Sequence, residues 1–187
     1  MTESRKITVT QVKKALKDYD KDTLLSILMD CYKQSNDVKN YIHVLINPDE
    51  AVDELYTKAR KLIMNEFFPQ KGYGKLRLAQ AKKAITDFKK LSNDETRTID
   101  LMIYYVESGV KFTNTYGDIN ETFYYSMASM YANVISKIIE NDKLYIRFSD
   151  RLEQIVNDTS DIGWGFHDEL SYSYHELLAA VDGDETI

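Results

Sequence analysis

The chain has 187 residues, 43% of them hydrophobic and 29% charged, and a net charge of −6. That composition excludes wholesale disorder and suits one or two compact units with a core large enough to need no cross-link. Cys31 is the single cysteine, so no disulfide can close within the chain, and a reducing, cytoplasmic compartment is the expectation.

The first six residues, Met1-Thr2-Glu3-Ser4-Arg5-Lys6, lead into no long apolar stretch and read as no secretory signal. Thr10 to Lys17 predicts a first helix. Asp22 can cap a second, with Leu25, Leu28, Met29 and Tyr32 at helical spacing. Asn36 or Asp37 starts a third, with Tyr41, Val44 and Leu45 on one face. Asn47-Pro48-Asp49-Glu50 combines a cap residue, a first-turn proline and a capping-box glutamate. The helix it opens ends at Phe67-Phe68-Pro69. A basic loop and helix follow, from Lys71 to Leu91. Ser92-Asn93-Asp94-Glu95 and Asp118-Ile119-Asn120-Glu121 each predict another helix start. Phe123, Met127, Met130, Val134 and Ile138 form a strong apolar stripe. Asn141 or Asp142 restarts the chain, and a last helix covers about Phe166 to Ala180, followed by a polar tail expected to fray after Asp182. The densest apolar run, Leu101 to Val106, is too short to cross a bilayer, which needs about 20 residues. No segment alternates with period two.

The expected fold is therefore all-α, with eight or nine helices in antiparallel hairpins. A curved array is preferred over a closed bundle, because three glycine–aromatic loops recur at a spacing of roughly 45 residues, near that of HEAT-type repeats. They are Gly72-Tyr73-Gly74, Tyr116-Gly117 and Gly163-Trp164-Gly165. A single domain over 1–187 is expected, with a charge switch near Leu91-Ser92. Residues 1–91 carry 18 Lys and Arg against 12 Asp and Glu, whereas 92–187 carry 6 against 18. These opposite halves could attract one another within one molecule or across a homodimer.

Two constellations could carry chemistry. Residues 71–90 hold seven basic side chains and one acid. Lys71, Gly72, Gly74, Lys75, Lys82 and Lys83 could offer backbone N–H groups and ammonium groups to a phosphate. The spacing is not that of a Walker loop. Arg77 is expected on the apolar face of this helix, if the helix starts near Lys75, and so needs a partner. Glu107, Asp118, Asp158 and Asp161 are the candidates. The second constellation is Trp164-Gly165-Phe166-His167-Asp168-Glu169 with Tyr172, His175 and Glu176. Arg77, Asp118, Trp164, His167 and Asp168 together form a candidate ligand or ion-pair cluster. The spacing fits no zinc signature, and no nucleophile elbow or dinucleotide fingerprint is present, so no catalytic residue, metal or cofactor is assigned. His43 is expected to be packed. Of fourteen tyrosines, nine follow residue 100; Tyr104-Tyr105, Tyr124-Tyr125 and Tyr172/Tyr174 should each place one ring inward and one toward the surface.

Several stretches are similar to a family of uncharacterised bacterial proteins: Lys39-Asn40-Tyr41 with Asn47-Pro48, Phe67-Phe68-Pro69 with Gly72-Tyr73-Gly74-Lys75, and Ala81 to Lys90. So are Tyr105 to Val110, Phe112-Thr113, Tyr116-Gly117-Asp118 and Gly163 to Asp168. The resemblance spans roughly residues 10–177 and implies a small helical protein without an assigned activity. The favoured function is a non-enzymatic module that binds a protein or peptide. A nucleic-acid or phosphate binder, and an enzyme with a polar pocket at the glycine–aromatic loops, are the alternatives. A membrane role is not expected.

Overall fold

Side-chain caps set where most of the helices begin. The computed structural model describes residues 7–184, leaving aside the side chains of residues 142 and 182–184, so the expectations for Met1 to Lys6 and for the extreme C-terminal tail lie outside the described residues. Among the described residues there are nine helices and no strand. They are α1 (Val9–Leu16), α2 (Lys21–Gln34), α3 (Asn36–Ile46), α4 (Pro48–Phe67) and α5 (Leu78–Ser92), then α6 (Glu95–Tyr116), α7 (Glu121–Ile139), α8 (Asp142–Asn157) and α9 (Phe166–Asp184). Asp20, not Asp22, caps α2 by accepting from the Thr23 N–H at 2.7 Å. Asp94 and Asn120 cap α6 and α7, each two residues after the first residue of the four-residue pattern read in the sequence. In both cases the side chain accepts from the amide three residues on, at 2.8 and 2.9 Å.

The chain divides into two compact units at Ala51/Val52. The charge switch at Leu91-Ser92 lies inside the second. In the first unit, α2 packs on α3, and the Tyr32 hydroxyl meets His43 Nε2 at 2.8 Å. His43 is thus an exposed hydrogen-bonding partner, not a packed side chain. No residue of α1, α2 or α3 is buried, and Leu25, Leu28 and Met29 stay exposed despite their helical spacing.

The second unit holds the hydrophobic core. Helix α6 contacts α5, α7 and α8, and α9 contacts α7 and α8. Ile63, Phe67, Leu101, Tyr105, Met127, Leu152 and Leu170 have essentially no exposed surface. Gly109 sits buried in mid-α6 because a Cβ there would lie 2.2 Å from Met127 Sδ, so glycine lets α7 approach closely. The Tyr105 hydroxyl pairs with Ser126 Oγ at 2.8 Å, and the Tyr131 hydroxyl donates to the Leu152 carbonyl at 3.0 Å. Burial pushes the Tyr105 phenol up to about 12. The paired tyrosines divide as their periodicity predicts: Tyr105 and Tyr124 are buried, while Tyr125 and Tyr172 are exposed.

The loop between α4 and α5 is held by Glu66, a buried carboxylate near the end of α4. Its carbonyl accepts from the Leu76 N–H at 2.9 Å, and Gly74 presses against the Phe67 carbonyl, where a Cβ would stand only 2.3 Å from the oxygen. Backbone cannot withdraw as a flexible side chain can. Gly74→Ala is therefore expected to destabilise the second unit by about 1–3 kcal/mol, read as a lower urea midpoint. An unchanged midpoint would contradict the close approach.

Candidate interaction site

The five residues of the candidate cluster fall in three places. Arg77 precedes α5 instead of sitting on its apolar face, because that helix starts at Leu78 and not near Lys75. It is largely exposed and pairs with Glu66. Its Nη2 and Nε donate to the two carboxylate oxygens at 2.7 and 3.0 Å, and its backbone N–H donates at 3.1 Å. None of the four carboxylates proposed from the sequence is involved. Glu66 was invisible as a partner because it lies in the basic half of the chain, among residues that read as the end of an ordinary amphipathic helix.

His167, in the first turn of α9, is half-buried. The Thr159 hydroxyl donates to the Val156 carbonyl at 2.7 Å. Thr159 Oγ1 is then left to accept from His167 Nδ1 at 3.0 Å, and Ser171 Oγ faces Nε2 at 3.3 Å. The network assigns the Nδ1–H tautomer and uses the ring to join the 158–165 turn to α9. Among the described residues no group of three or more His, Cys, Asp or Glu could hold a metal ion.

Asp118 and Trp164 meet a common neighbour, Tyr124. Its hydroxyl pairs with Thr113 Oγ1 at 2.7 Å, accepts from the Ile119 N–H at 3.3 Å and lies 3.2 Å from Asp118 Oδ1. Its ring stacks with Trp164 at 6.4 Å and 26° and packs on Phe166 at 5.1 Å. The series continues through Phe123 (5.4 Å), Phe112 (6.3 Å) and Phe68 (5.7 Å). Tyr116 stacks on Phe68 at 6.2 Å. Two of the glycine–aromatic loops are thus joined through Tyr124, and the third reaches the same series through the Phe67-Phe68 end of α4. Tyr73 itself is exposed and has no ring partner among the described residues.

Trp164 adopts φ +63 and Gly165 φ +69. The left-handed region is costly for a bulky side chain. Here it points an indole that is 64% exposed along the surface, near-parallel to the buried Tyr124 ring with the centroids 6.4 Å apart. The result is a groove of about 650 Å³ lined by Glu121, Thr122, Tyr124, Tyr125, Trp164, Gly165 and Glu169. Tyr125 is 68% exposed. Glu121 and Glu169 stand in the first turns of α7 and α9, where the helix dipoles favour carboxylates. Each dipole offsets roughly half a charge, so the groove keeps net negative charge. Asp168 is exposed in the same first turn as Glu169. The sequence marks Glu121 only as part of a helix start, Tyr125 as one of a divided tyrosine pair and Glu169 as a member of the Trp164 constellation, and none of the three belongs to the candidate cluster; a further signal is the absence of any Lys or Arg from residues 112–136 and 152–187.

Lys71, Lys75, Lys82 and Lys83, proposed for phosphate, are exposed. Gly72 has φ +76, Gly74 is wedged against α4, and Lys83 pairs with Asp87 one turn on. A second groove, of about 680 Å³, runs between α6 and α8. It is bordered by a polar network. Arg151 donates to both Glu107 oxygens at 2.7 and 2.8 Å and also bonds Asp100, which Tyr56 bonds in turn. Arg60 lies over the Tyr104 ring at 3.9 Å. Burial alone would lower the Arg151 pKa, but the Glu107 and Asp100 carboxylates outweigh it and hold the guanidinium charged.

These features define an all-helical protein with an aromatic, acid-rimmed groove at one loop cluster. The chain belongs to the family of unknown function DUF6155, whose model matches residues 7–177. No match is found among curated proteins or among solved structures. No helix among the described residues is long and apolar enough to cross a membrane.

Two tests follow from these ion pairs. The Arg77 side chain holds the Glu66 carboxyl below the usual glutamate range, against the opposing effect of burial. The unfolded chain then binds the proton first as pH falls. The pair's stabilisation is complete at neutral pH, declines through about pH 4.3, where free glutamate titrates, and is gone below the folded pKa. The stability difference between the native chain and Glu66→Gln should shrink on acidification from about pH 6 to about pH 3; a difference constant with pH would contradict the pairing. Arg151→Ala removes the cation that Glu107 and Asp100 share, leaving Glu107 without its ion-pair partner and Asp100 with Arg60 alone. Because both are partly solvated, the expected loss is about 2 kcal/mol, below that of a fully buried pair, measured by urea denaturation.

Proposed function

We propose that this protein is a non-enzymatic interaction module that holds a protein or peptide partner in the Trp164–Tyr125 groove. One observation carries the reading: Trp164 is kept in a left-handed conformation that exposes its indole beside a second exposed ring. A single exposed ring is ordinary, but two exposed rings lining one groove form a patch, and aromatic residues are enriched where partners bind. Three polar groups of the candidate cluster are engaged in separate places: Arg77 with Glu66, Asp118 with Tyr124, His167 with two hydroxyls. Their separation favours binding over chemistry at a shared centre. The module is read as working in the cytoplasm, consistent with its lone exposed Cys31.

The test is affinity capture from native lysate, with nuclease, on the intact chain and on a Trp164→Ala, Tyr125→Ala variant. A protein retained by the native chain and lost from the variant is the expected result. Retention that is equal for both, or that disappears with nuclease, would overturn the assignment of binding to this groove.

A further inference from the structure

Resting on the reading of this groove as a partner site, we infer that its occupant is a lysine- or arginine-bearing segment of a protein partner, whose cationic head lies over Trp164 and Tyr125 and is matched by Glu121 and Glu169. The groove combines two exposed ring faces with two carboxylates and has no basic residue in its lining. Among the described residues neither Glu121 nor Glu169 takes part in an ion pair, whereas Glu107, Asp100, Glu95 and Asp94 do. The surrounding sequence deepens the field. Among the described side chains, residues 152–181 include six carboxylates and no lysine or arginine, and residues 112–136 also lack both. A cation is drawn to an aromatic face by the ring's quadrupole, and carboxylates around the rim add Coulomb attraction. An anionic occupant would face uncompensated repulsion, and a purely apolar one would leave the two carboxylates desolvated without a partner. A hard divalent ion would require more oxygen ligands than two carboxylates beside aromatic rings provide. The volume of about 650 Å³ is within the range of ligand sites and has room for more than one side chain. Trp164 is the single tryptophan of the chain, so its fluorescence reports this groove alone.

The experiment titrates the intact protein with hexalysine, hexaarginine, hexaglutamate and a neutral Gly-Ser hexapeptide, following Trp164 emission at low and at physiological salt. A saturable change with the two basic peptides, weakened by salt and absent with the other two, is expected. Glu121→Gln with Glu169→Gln should weaken binding about five-fold or more, as expected from the loss of two screened charge contacts. Tyr125→Leu should weaken it about two- to ten-fold through the lost cation–ring attraction. Unchanged circular dichroism of these surface variants separates lost binding from lost folding. No response to either basic peptide, or an equal response to hexaglutamate, would overturn the inference. So would an emission change of the protein alone that tracks its own concentration, because it would give the groove to a second copy. If capture from lysate depends on Trp164 while the basic peptides leave its emission unchanged, the partner-site reading stands and the cationic occupant falls.

Discussion

Tyr124 is the contact on which the rest of this arrangement depends. Its ring is buried between Trp164, Phe166 and Phe123, and its hydroxyl fixes the turn that opens α7. An aromatic side chain suits such a position because it supplies a large apolar face and one polar tip that must be satisfied. Both requirements are met by segments far apart in sequence: the face by the 163–166 turn, the tip by the end of α6 and the 118–119 turn. Without that ring Trp164 would lack the surface its indole stacks on, and the cost of its left-handed backbone would be unopposed at this contact.

Charge explains where a partner could sit better than it explains the fold. Opposite net charges in the two halves suggested that they neutralise one another. Among the described residues, Arg60–Asp100 joins a cation of the first half to an acid of the second, whereas Arg77–Glu66 and Arg151–Glu107 stay within their own halves. Arg97–Asp53 also crosses between the halves, in the opposite sense, and most of the ion pairs involve α4, α6 or α8. Among the described residues no carboxylate of 152–181 takes part in an ion pair, and Glu169 lies in the groove with the two exposed rings. Surface carboxylates of this kind add little to stability, but they shape the field that an approaching partner meets.

The helices were legible because their signals are local. A stripe such as Phe123, Met127, Met130, Val134 and Ile138 needs only its own spacing to declare an apolar face, and the motifs from Tyr105 to Asp118 and from Gly163 to Asp168 carried the family resemblance. Caps were read slightly early, at Ser92 and Asp118, because several neighbouring residues can accept the same amide and only the turn geometry chooses Asp94 and Asn120. The site was harder to see. Trp164 and Asp118 stood out as residues beside glycine, and Glu169 as a neighbour of Trp164, but Glu121 and Tyr125 look like ordinary helix-start and surface positions, and nothing joins the three until α7 and α9 are brought together. Arg77 was misplaced for a related reason. A loop that folds back on α4 through Gly74 and Leu76 delays the helix start by three residues, and that turns the guanidinium from a helix face toward Glu66.

In the free protein Trp164 is already held beside Tyr124 with its indole exposed. The most direct measurement is the nuclear magnetic resonance order parameter of the Trp164 indole N–H in the free protein, since the chain contributes one such signal. A value near that of rigid backbone, about 0.85, together with cross-peaks from the indole to the Tyr124 ring, is the predicted result. A value below about 0.6 with no such cross-peaks would show an indole free of its support, and would contradict a groove formed in advance.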